Sequence, residues 1–295
     1  MPLASEGSAR QVIRRPAVYR PGGPPPWARL PASARRELSL ERVAERVAVY
    51  RPQATLDEAE AAVVTALGGG AAGGALLVDH QAAVLVPLFE EEGETRVVLT
   101  VRAAHLRSHR AEVAFPGGRL EAGEDAETAA RREACEEVGL DPAAVEVVGH
   151  LTPLPTASSN TVLTPVVGTL ARRPVLEAQP AEVERVFDLA LADLLAEGVF
   201  AEEWWSIPGR AGTAGGEGTA GGEGTAGGEG TAGGEGTAGG EGTAGGEYPV
   251  WFFEAAGEII WGATARVLVE LLAVALDLDP PVARAARLRT PGSGR

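Results

Sequence analysis

The stretch GRLEAGEDAETAARREACEEVGL, residues 118–140, decides how the centre of this chain folds. Residues 125–138 have the composition of a helix, and Gly139 follows as the left-handed residue at which such a helix ends. In that helix Glu133 and Glu137 are one turn apart and Glu136 lies beside them, so three carboxylates share one face. The opposite face carries small apolar side chains that favour close packing on a sheet, namely Ala126, Ala130, Ala134 and Val138.

This crowding of like charges predicts a bound cation. Carboxylates at this spacing repel by about 0.2–0.5 kcal/mol per pair and gain nothing unless a cation lies among them. Hard carboxylate oxygens favour Mg²⁺ or Mn²⁺ over zinc. Arg132 is expected to reach back to Glu124 and pin the glycine-rich loop to the helix. The alternative is a solvated acidic helix face, which explains neither the glycine loop nor the spacing.

The same residues resemble the signature of the Nudix hydrolases, G-x5-E-x7-R-E-U-x-E-E-x-G-U, in which U is apolar. The seven fixed letters match at Gly118, Glu124, Arg132, Glu133, Glu136, Glu137 and Gly139. The resemblance implies an α/β protein with the Nudix fold, a mixed β-sheet sandwiched between helices (α/β/α). It also implies Mg²⁺ or Mn²⁺ held by Glu133, Glu137, Glu136 and Gly117. The roles of Gly118, Glu124, Arg132 and Gly139 would be structural.

A second motif lies immediately upstream, where residues 99–118 read LTVRAAHLRSHRAEVAFPGG. This run resembles the signature of coenzyme A pyrophosphatases within the Nudix superfamily, L-L-T-x-R-[SA]-x3-R-x3-G-x3-F-P-G-G. Val98 stands in place of the first leucine, and Ala111 stands in place of the glycine. Glycine at that position suits an unusual backbone conformation or a close ligand approach. The departure therefore bears on the substrate and not on the class of enzyme.

Basic residues of this run are the predicted substrate-binding groups. Arg102 and Arg107 suit a substrate with several phosphates, because the guanidinium fork matches phosphate oxygens. His109 is a third candidate for positioning phosphate. The alternative is that these arginines pair with the abundant surface glutamates.

The resemblance implies hydrolysis of a diphosphate linkage in a nucleoside diphosphate bound to another group. For coenzyme A or an acyl-CoA the products would be 3′,5′-ADP and the (acyl-)4′-phosphopantetheine. Glu136 is the first candidate for the general base and Glu182 the second. Two alternatives stay open: a pyrophosphatase for ADP-ribose, dinucleotides or other nucleotides, and a Nudix-fold ligand sensor without turnover.

Hydrophobic patterns and turn residues predict the rest of the architecture. Helices are predicted at residues 38–49, 56–67, 189–197 and 264–276, and strands at residues 82–89, 96–101, 145–151, 162–170, 250–254 and 258–261. The first two strands form a predicted hairpin around the acidic turn 90–94. Residues 1–74 are interpreted as an N-terminal extension with a Pro-rich leader and helices, residues 75–280 as the Nudix domain and residues 281–295 as a tail.

One segment is foreign to this pattern. From residue 212 to residue 247 the hexapeptide Gly-Thr-Ala-Gly-Gly-Glu repeats six times without a substitution. The unit has no aliphatic residue larger than alanine, so stacking it as a solenoid would bury almost nothing. We interpret it as a flexible acidic surface insertion.

Composition narrows the function classes. The 295 residues carry 26 basic and 41 acidic side chains, a formal net charge of −15, which argues against binding to nucleic acid or to an anionic membrane. Lysine is absent, which excludes a Schiff-base lysine and a phosphate-loop lysine, and the arginine, alanine and glycine usage is typical of a bacterial source. The single cysteine, Cys135, excludes an intrachain disulfide and favours a cytoplasmic protein. The expected partner is a small nucleotide substrate, and a homodimer is compatible with the sequence.

Overall fold

The computed structural model of this chain describes residues 11–60 without 12 and 37, then residues 80–106, 110–156, 161–206 and 247–281. The strands are β1 (Val18–Pro21), β2 (His80–Glu91), β3 (Glu94–Arg102), β4 (Val113–Ala114), β5 (Gly117–Arg119), β6 (Val145–His150), β7 (Leu154–Pro155), β8 (Thr161–Leu170), β9 (Val183–Ala190), β10 (Phe200–Ser206), β11 (Glu247–Ala255) and β12 (Glu258–Trp261). The helices are α1 (Ala32–Arg36), α2 (Leu40–Val49), α3 (Ala126–Val138), α4 (Leu191–Leu194) and α5 (Gly262–Ala275). Residues 56–60 are also helical, and the rest of the helix predicted at 56–67 lies outside the described residues.

The larger sheet is mixed, with the strand order β4-β3-β2-β8-β6. Strands β2 and β8 are parallel, and the other pairs, including β5 on β2, β7 on β8 and β9 on β3, are antiparallel. The predicted hairpin is confirmed as β2 and β3. Its turn is short because Glu92 and Gly93 have φ of 55° and 80°, the left-handed pair that matches the twist of a hairpin.

The mixed sheet is covered by helices on both faces, as its alternating side chains require. On β3, Val97 and Leu99 belong to the core shared with α2 and α5, whereas Val98 belongs to the core beneath α3. Each fully buried aliphatic side chain contributes about 1.5–3 kcal/mol relative to exposure, so both faces need a cover. The predicted sandwich of a mixed sheet between helices is therefore confirmed.

A second sheet, which the sequence did not predict as separate, is antiparallel with the order β1-β10-β11-β12. It brings the leader into the fold, because Val18 pairs with Ser206 and Pro21 with Glu203. Trp27 is fully buried and its ring stacks on Phe253 at a centroid distance of 6.2 Å. Residues that precede the Nudix motif thus supply part of the main core.

The helix predicted at residues 189–197 is wrong in its bounds. Residues 183–190 instead form β9, which pairs along the length of β3 from Arg96 to Arg102, and only Leu191–Leu194 are helical. The apolar residues of the predicted helix, Leu189, Leu191, Leu194 and Leu195, are buried in the observed structure. The backbone hydrogen bonds to β3, a strand distant in sequence, decide between the two.

The repeat enters the fold at the tip of a hairpin. Strands β10 and β11 pair up to Ser206 and Glu247, and Glu247, the last residue of the sixth hexapeptide, is the first residue of β11. Its carboxylate accepts a hydrogen bond of 2.7 Å from Arg20. Residues 207–246 lie outside the described part of the chain.

Candidate active site

Helix α3 is fixed at both ends by local hydrogen bonds, and its end at Gly139 is the one that the sequence predicted. The side chain of Asp125 accepts a hydrogen bond from the backbone N–H of Thr128, and Gly139 ends the helix with φ of 68°. Its buried face packs on the mixed sheet and consists of Ala129, Ala130, Ala134, Glu137 and Val138. This packing buries Glu137 against the sheet and leaves Glu136 exposed to solvent, whereas Glu133 lies against the glycine loop.

Arg132 joins the helix to the loop that precedes it. Its guanidinium donates two hydrogen bonds to the Glu124 carboxylate, of 2.9 and 3.0 Å, and one of 3.0 Å to the carbonyl of Arg119. The hydrogen bonds from Arg132 lower the pKa of Glu124. The bidentate contact expected from the sequence is thus present, and it fixes the loop 119–124 on α3.

The same guanidinium contacts two further glutamates of the motif. Its Nη1 lies 3.0 Å from Glu133 and 3.3 Å from Glu136. The Glu136 side chain is 61% exposed, whereas that of Glu133 is 16% exposed. Glu136 therefore lies on the solvent side of Arg132, and Glu133 lies on the side of the glycine loop.

Glu137 is the buried member of the acidic group. Its carboxylate accepts a hydrogen bond of 3.0 Å from the backbone N–H of Gly117, and Arg102 Nη1 lies 3.7 Å from its other oxygen. The pKa of Glu137 is raised to about 7, chiefly by burial and also by the negative charges of Glu133 and Glu182, against the lowering effects of the Gly117 hydrogen bond and of Arg102. A carboxylate in this position is stabilised by additional positive charge.

The two glycines before α3 leave room for this arrangement. A Cβ on Gly118 would overlap the Glu133 carboxylate, and a Cβ on Gly117 would overlap the backbone of Ala83 and Val84 on β2. Glycine at these positions allows the loop backbone to lie directly between the sheet and the carboxylate.

Glu182 joins the site from the loop before β9. This loop contacts the C-terminal end of α3, because the backbone N–H of Gln179 donates a hydrogen bond of 2.8 Å to the carbonyl of Glu137. Burial raises the pKa of both Glu133 and Glu137, and the negative charge of Glu182 acts in the same direction on each. From the sequence, Glu182 is only the second candidate for the general base, because no local sequence pattern connects this loop to the helix.

The donor set fits a divalent cation, although its side chains do not form a coordination shell. In the described part of the chain, no group of three or more His, Cys, Asp or Glu side chains is arranged to hold one metal ion. The oxygens of Glu133, Glu137 and Glu182 are nevertheless hard donors, and the missing side chain of Gly118 leaves room for the Glu133 carboxylate against the loop backbone.

Of the predicted phosphate-binding residues, the structure places Arg102 at this site. It is the last residue of β3 and its Nε is buried without a hydrogen-bond partner among the described residues. Such an N–H can donate a hydrogen bond to a ligand oxygen. Arg107 and His109 lie outside the described residues.

Ala111, which replaces glycine in the resembled signature, has φ of 53° and is buried. It closes the β3–β4 connection, with its N–H donating a hydrogen bond of 3.1 Å to the carbonyl of Arg102. The position requires the left-handed backbone that glycine adopts freely, and here alanine adopts it.

Comparison with known proteins agrees with this geometry. The NUDIX domain family profile matches residues 79–208. Nudix hydrolase 3 of Caenorhabditis elegans is 41% identical over 115 residues, which are 38% of this chain and 48% of that protein, so this chain spans about half of that relative. The uncharacterized Nudix hydrolase NudL of Salmonella paratyphi B is 36% identical over 162 residues, which are 55% of this chain and 74% of that protein.

These relatives identify the family, and the chain belongs to the Nudix hydrolases. Among solved structures, a binary complex of a C. elegans Ap4A hydrolase covers 39% of this chain and 82% of its own, with 21% identity and a TM-score of 0.34. A likeness of this size supports no conclusion about substrate. None of the described helices is long and apolar enough to cross a membrane.

Proposed function

We propose that this protein catalyses the metal-dependent hydrolysis of a diphosphate bond in a nucleoside diphosphate linked to another group. The observation that supports it best is the buried Glu137 beside two further carboxylates and one arginine whose Nε has no partner in the described chain. Carboxylates and arginine together suit a cation bound to phosphates. The carboxylates bind the cation, and the arginine binds the negatively charged phosphate oxygens.

Glu133 and Glu137 are the proposed ligands of Mg²⁺ or Mn²⁺, with Glu136 and Gly117 as further ligands. A bound divalent cation supplies charge neutralisation of the diphosphate and makes a water molecule more acidic. Arg102 would orient the phosphate chain from the end of β3. Arg132 keeps the glycine loop and Glu133 in place, and it binds no substrate in this proposal.

Glu182 is the proposed general base, ahead of Glu136. Its charge acts on both Glu133 and Glu137, whereas the charge of Glu136 acts on Glu133 and not on Glu137, and the Glu136 carboxylate contacts Arg132. A base must lie within hydrogen-bond reach of the water that it deprotonates, close to the metal ligands. We therefore expect Glu182→Gln to reduce kcat by about two orders of magnitude and Glu136→Gln by less.

The proposed substrate is coenzyme A or an acyl-CoA. This finer proposal rests on the motif at residues 99–118 and on Arg102, whose free donor suits a phosphate. Coenzyme A carries a 3′-phosphate in addition to its diphosphate. An arginine–phosphate contact of about 1.5–3 kcal/mol corresponds to roughly ten- to a hundredfold in affinity.

Product analysis and kinetics test both levels of the proposal. Coenzyme A, 3′-dephospho-coenzyme A, ADP-ribose and NADH are incubated with the full chain in Mg²⁺ or Mn²⁺, and kcat/KM is compared. We expect coenzyme A to be the best substrate and Arg102→Ala to lower its kcat/KM, with exposed Arg172→Ala as the matched control. Faster hydrolysis of ADP-ribose or NADH would reject the coenzyme A proposal, and no hydrolysis of any diphosphate would reject the wider one.

A further inference from the structure

His105 contacts the loop that carries Glu182. Its Nε2 lies 3.0 Å from the carbonyl oxygen of Ala181, the residue immediately before Glu182. A carbonyl oxygen only accepts hydrogen bonds, so the imidazole donates from Nε2. Two residues earlier, the backbone N–H of Ala103 donates a hydrogen bond of 2.8 Å to the carbonyl of Glu182 itself. The segment just after β3 therefore holds two consecutive carbonyls of this loop.

The other side of the loop is held by α3. The backbone N–H of Glu177 donates a hydrogen bond of 3.0 Å to the carbonyl of Val138, and the N–H of Gln179 donates one of 2.8 Å to the carbonyl of Glu137. Residues 177–182 thus bridge the end of the metal-site helix and the end of the strand that carries Arg102. The Glu182 side chain is exposed, so packing does not fix it and its direction depends on how this backbone is held.

We infer that His105 is a positioning residue for Glu182: its hydrogen bond to the Ala181 carbonyl sets the direction in which the Glu182 carboxylate faces Glu133 and Glu137. This inference rests on the proposed general-base role of Glu182. His105 acts only through the loop and contacts neither cation nor substrate. Catalysis depends on such placement, because an error of about 1 Å in a reacting group can cost about a hundredfold in rate.

The test is a double-mutant cycle on the full chain, measured with whichever of coenzyme A and ADP-ribose is hydrolysed faster in Mn²⁺. We expect His105→Ala to lower kcat about tenfold, to leave KM within about twofold and to leave Tm unchanged, since the imidazole is exposed. His105→Gln, whose amide N–H can reach the same carbonyl, is expected to recover most of kcat. In the Glu182→Gln background, His105→Ala should cause no further loss. The matched control is His150→Ala, which removes a half-exposed histidine paired with Glu127.

Each other outcome overturns the inference. An equal loss from His105→Ala with and without Glu182 would show an effect independent of that carboxylate. A higher KM at constant kcat would indicate a substrate contact instead. Unchanged kcat in Glu182→Gln would reject both the general base and its positioning residue. It would not reject the proposed diphosphatase activity or the role of Glu137, which are tested separately.

Discussion

Glu137 combines burial with a position among other carboxylates. It is 3% exposed, yet its neighbours include two more carboxylates, and its pKa is raised to about 7 by burial first and by those charges second. Because the pKa is higher in the folded than in the unfolded chain, the folded state binds this proton more tightly. The group contributes stability that is complete below the unfolded pKa and is lost as pH rises through about 7.

The prediction at this residue concerns the metal-free protein. Between pH 5.5 and pH 8.5 in EDTA, we expect titration of Glu137 to remove about 2 kcal/mol of unfolding free energy, and Glu137→Gln to lack this part of the pH dependence. Urea denaturation at the two pH values measures it. At pH 8.5, Mn²⁺ should raise the Tm of the wild type and not that of the variant, and turnover of the variant should fall by at least about two orders of magnitude.

The control for this prediction is Glu136→Gln, since Glu136 lies on the same helix and is largely exposed. It should keep the pH dependence of the wild type in EDTA. Equal pH slopes for wild type and Glu137→Gln would contradict the assigned pKa, and full activity of a folded Glu137→Gln would remove its role at the metal.

At the scale of elements, the β10–β11 hairpin explains how the chain carries a long repeat. Ser206 and Glu247 are paired residues of adjacent strands, so the two ends of the insertion already lie side by side. Closing a longer loop between fixed ends costs only about 0.6 kcal/mol per doubling of length. The fold therefore depends on where the insertion begins and ends, and hardly on its length.

We predict that replacing residues 207–246 by Asn-Gly leaves Tm within a few degrees and kcat/KM within about twofold of the full chain. Asn-Gly suits the two-residue turn of a hairpin. The deletion keeps Glu247, which pairs in β11 and contacts Arg20. A companion deletion that also removes Glu247 should be slightly less stable, because that exposed ion pair is worth little. Unfolding or loss of most activity in the first deletion would show that the repeat is structural.

At the scale of the whole molecule, the segment before the Nudix motif is packed into the enzyme. Trp27 is buried between Phe200 and Phe253, with ring centroids 5.4 and 6.2 Å away, and β1 extends the second sheet. Val43 and Val47 of α2 belong to the same core as the mixed sheet. We therefore propose that residues 18–49 fold together with the Nudix residues.

The corresponding prediction is that Trp27→Ala lowers the unfolding free energy by about 3–5 kcal/mol, the cost of removing a large buried ring. Chemical denaturation measures it, and Trp204→Ala is the matched control because Trp204 is only partly buried. Trp204→Ala should lower the unfolding free energy by clearly less than Trp27→Ala does. A Trp27→Ala protein as stable as the wild type would show that the N-terminal segment contributes nothing to the stability of the core.

The sequence by itself determined helix α3, its end at Gly139 and the acidic face that it presents, because residues within one or two turns interact through fixed helical spacing. The β2–β3 hairpin followed in the same way from its turn. The tertiary structure decided which of the predicted carboxylates is buried, that Arg102 approaches Glu137 and that Glu182 joins them, since these residues lie on different elements. It also decided that residues 183–190 are a strand and that the leader completes a second sheet. Strand partners come from distant parts of the chain, and no local period in a sequence specifies them.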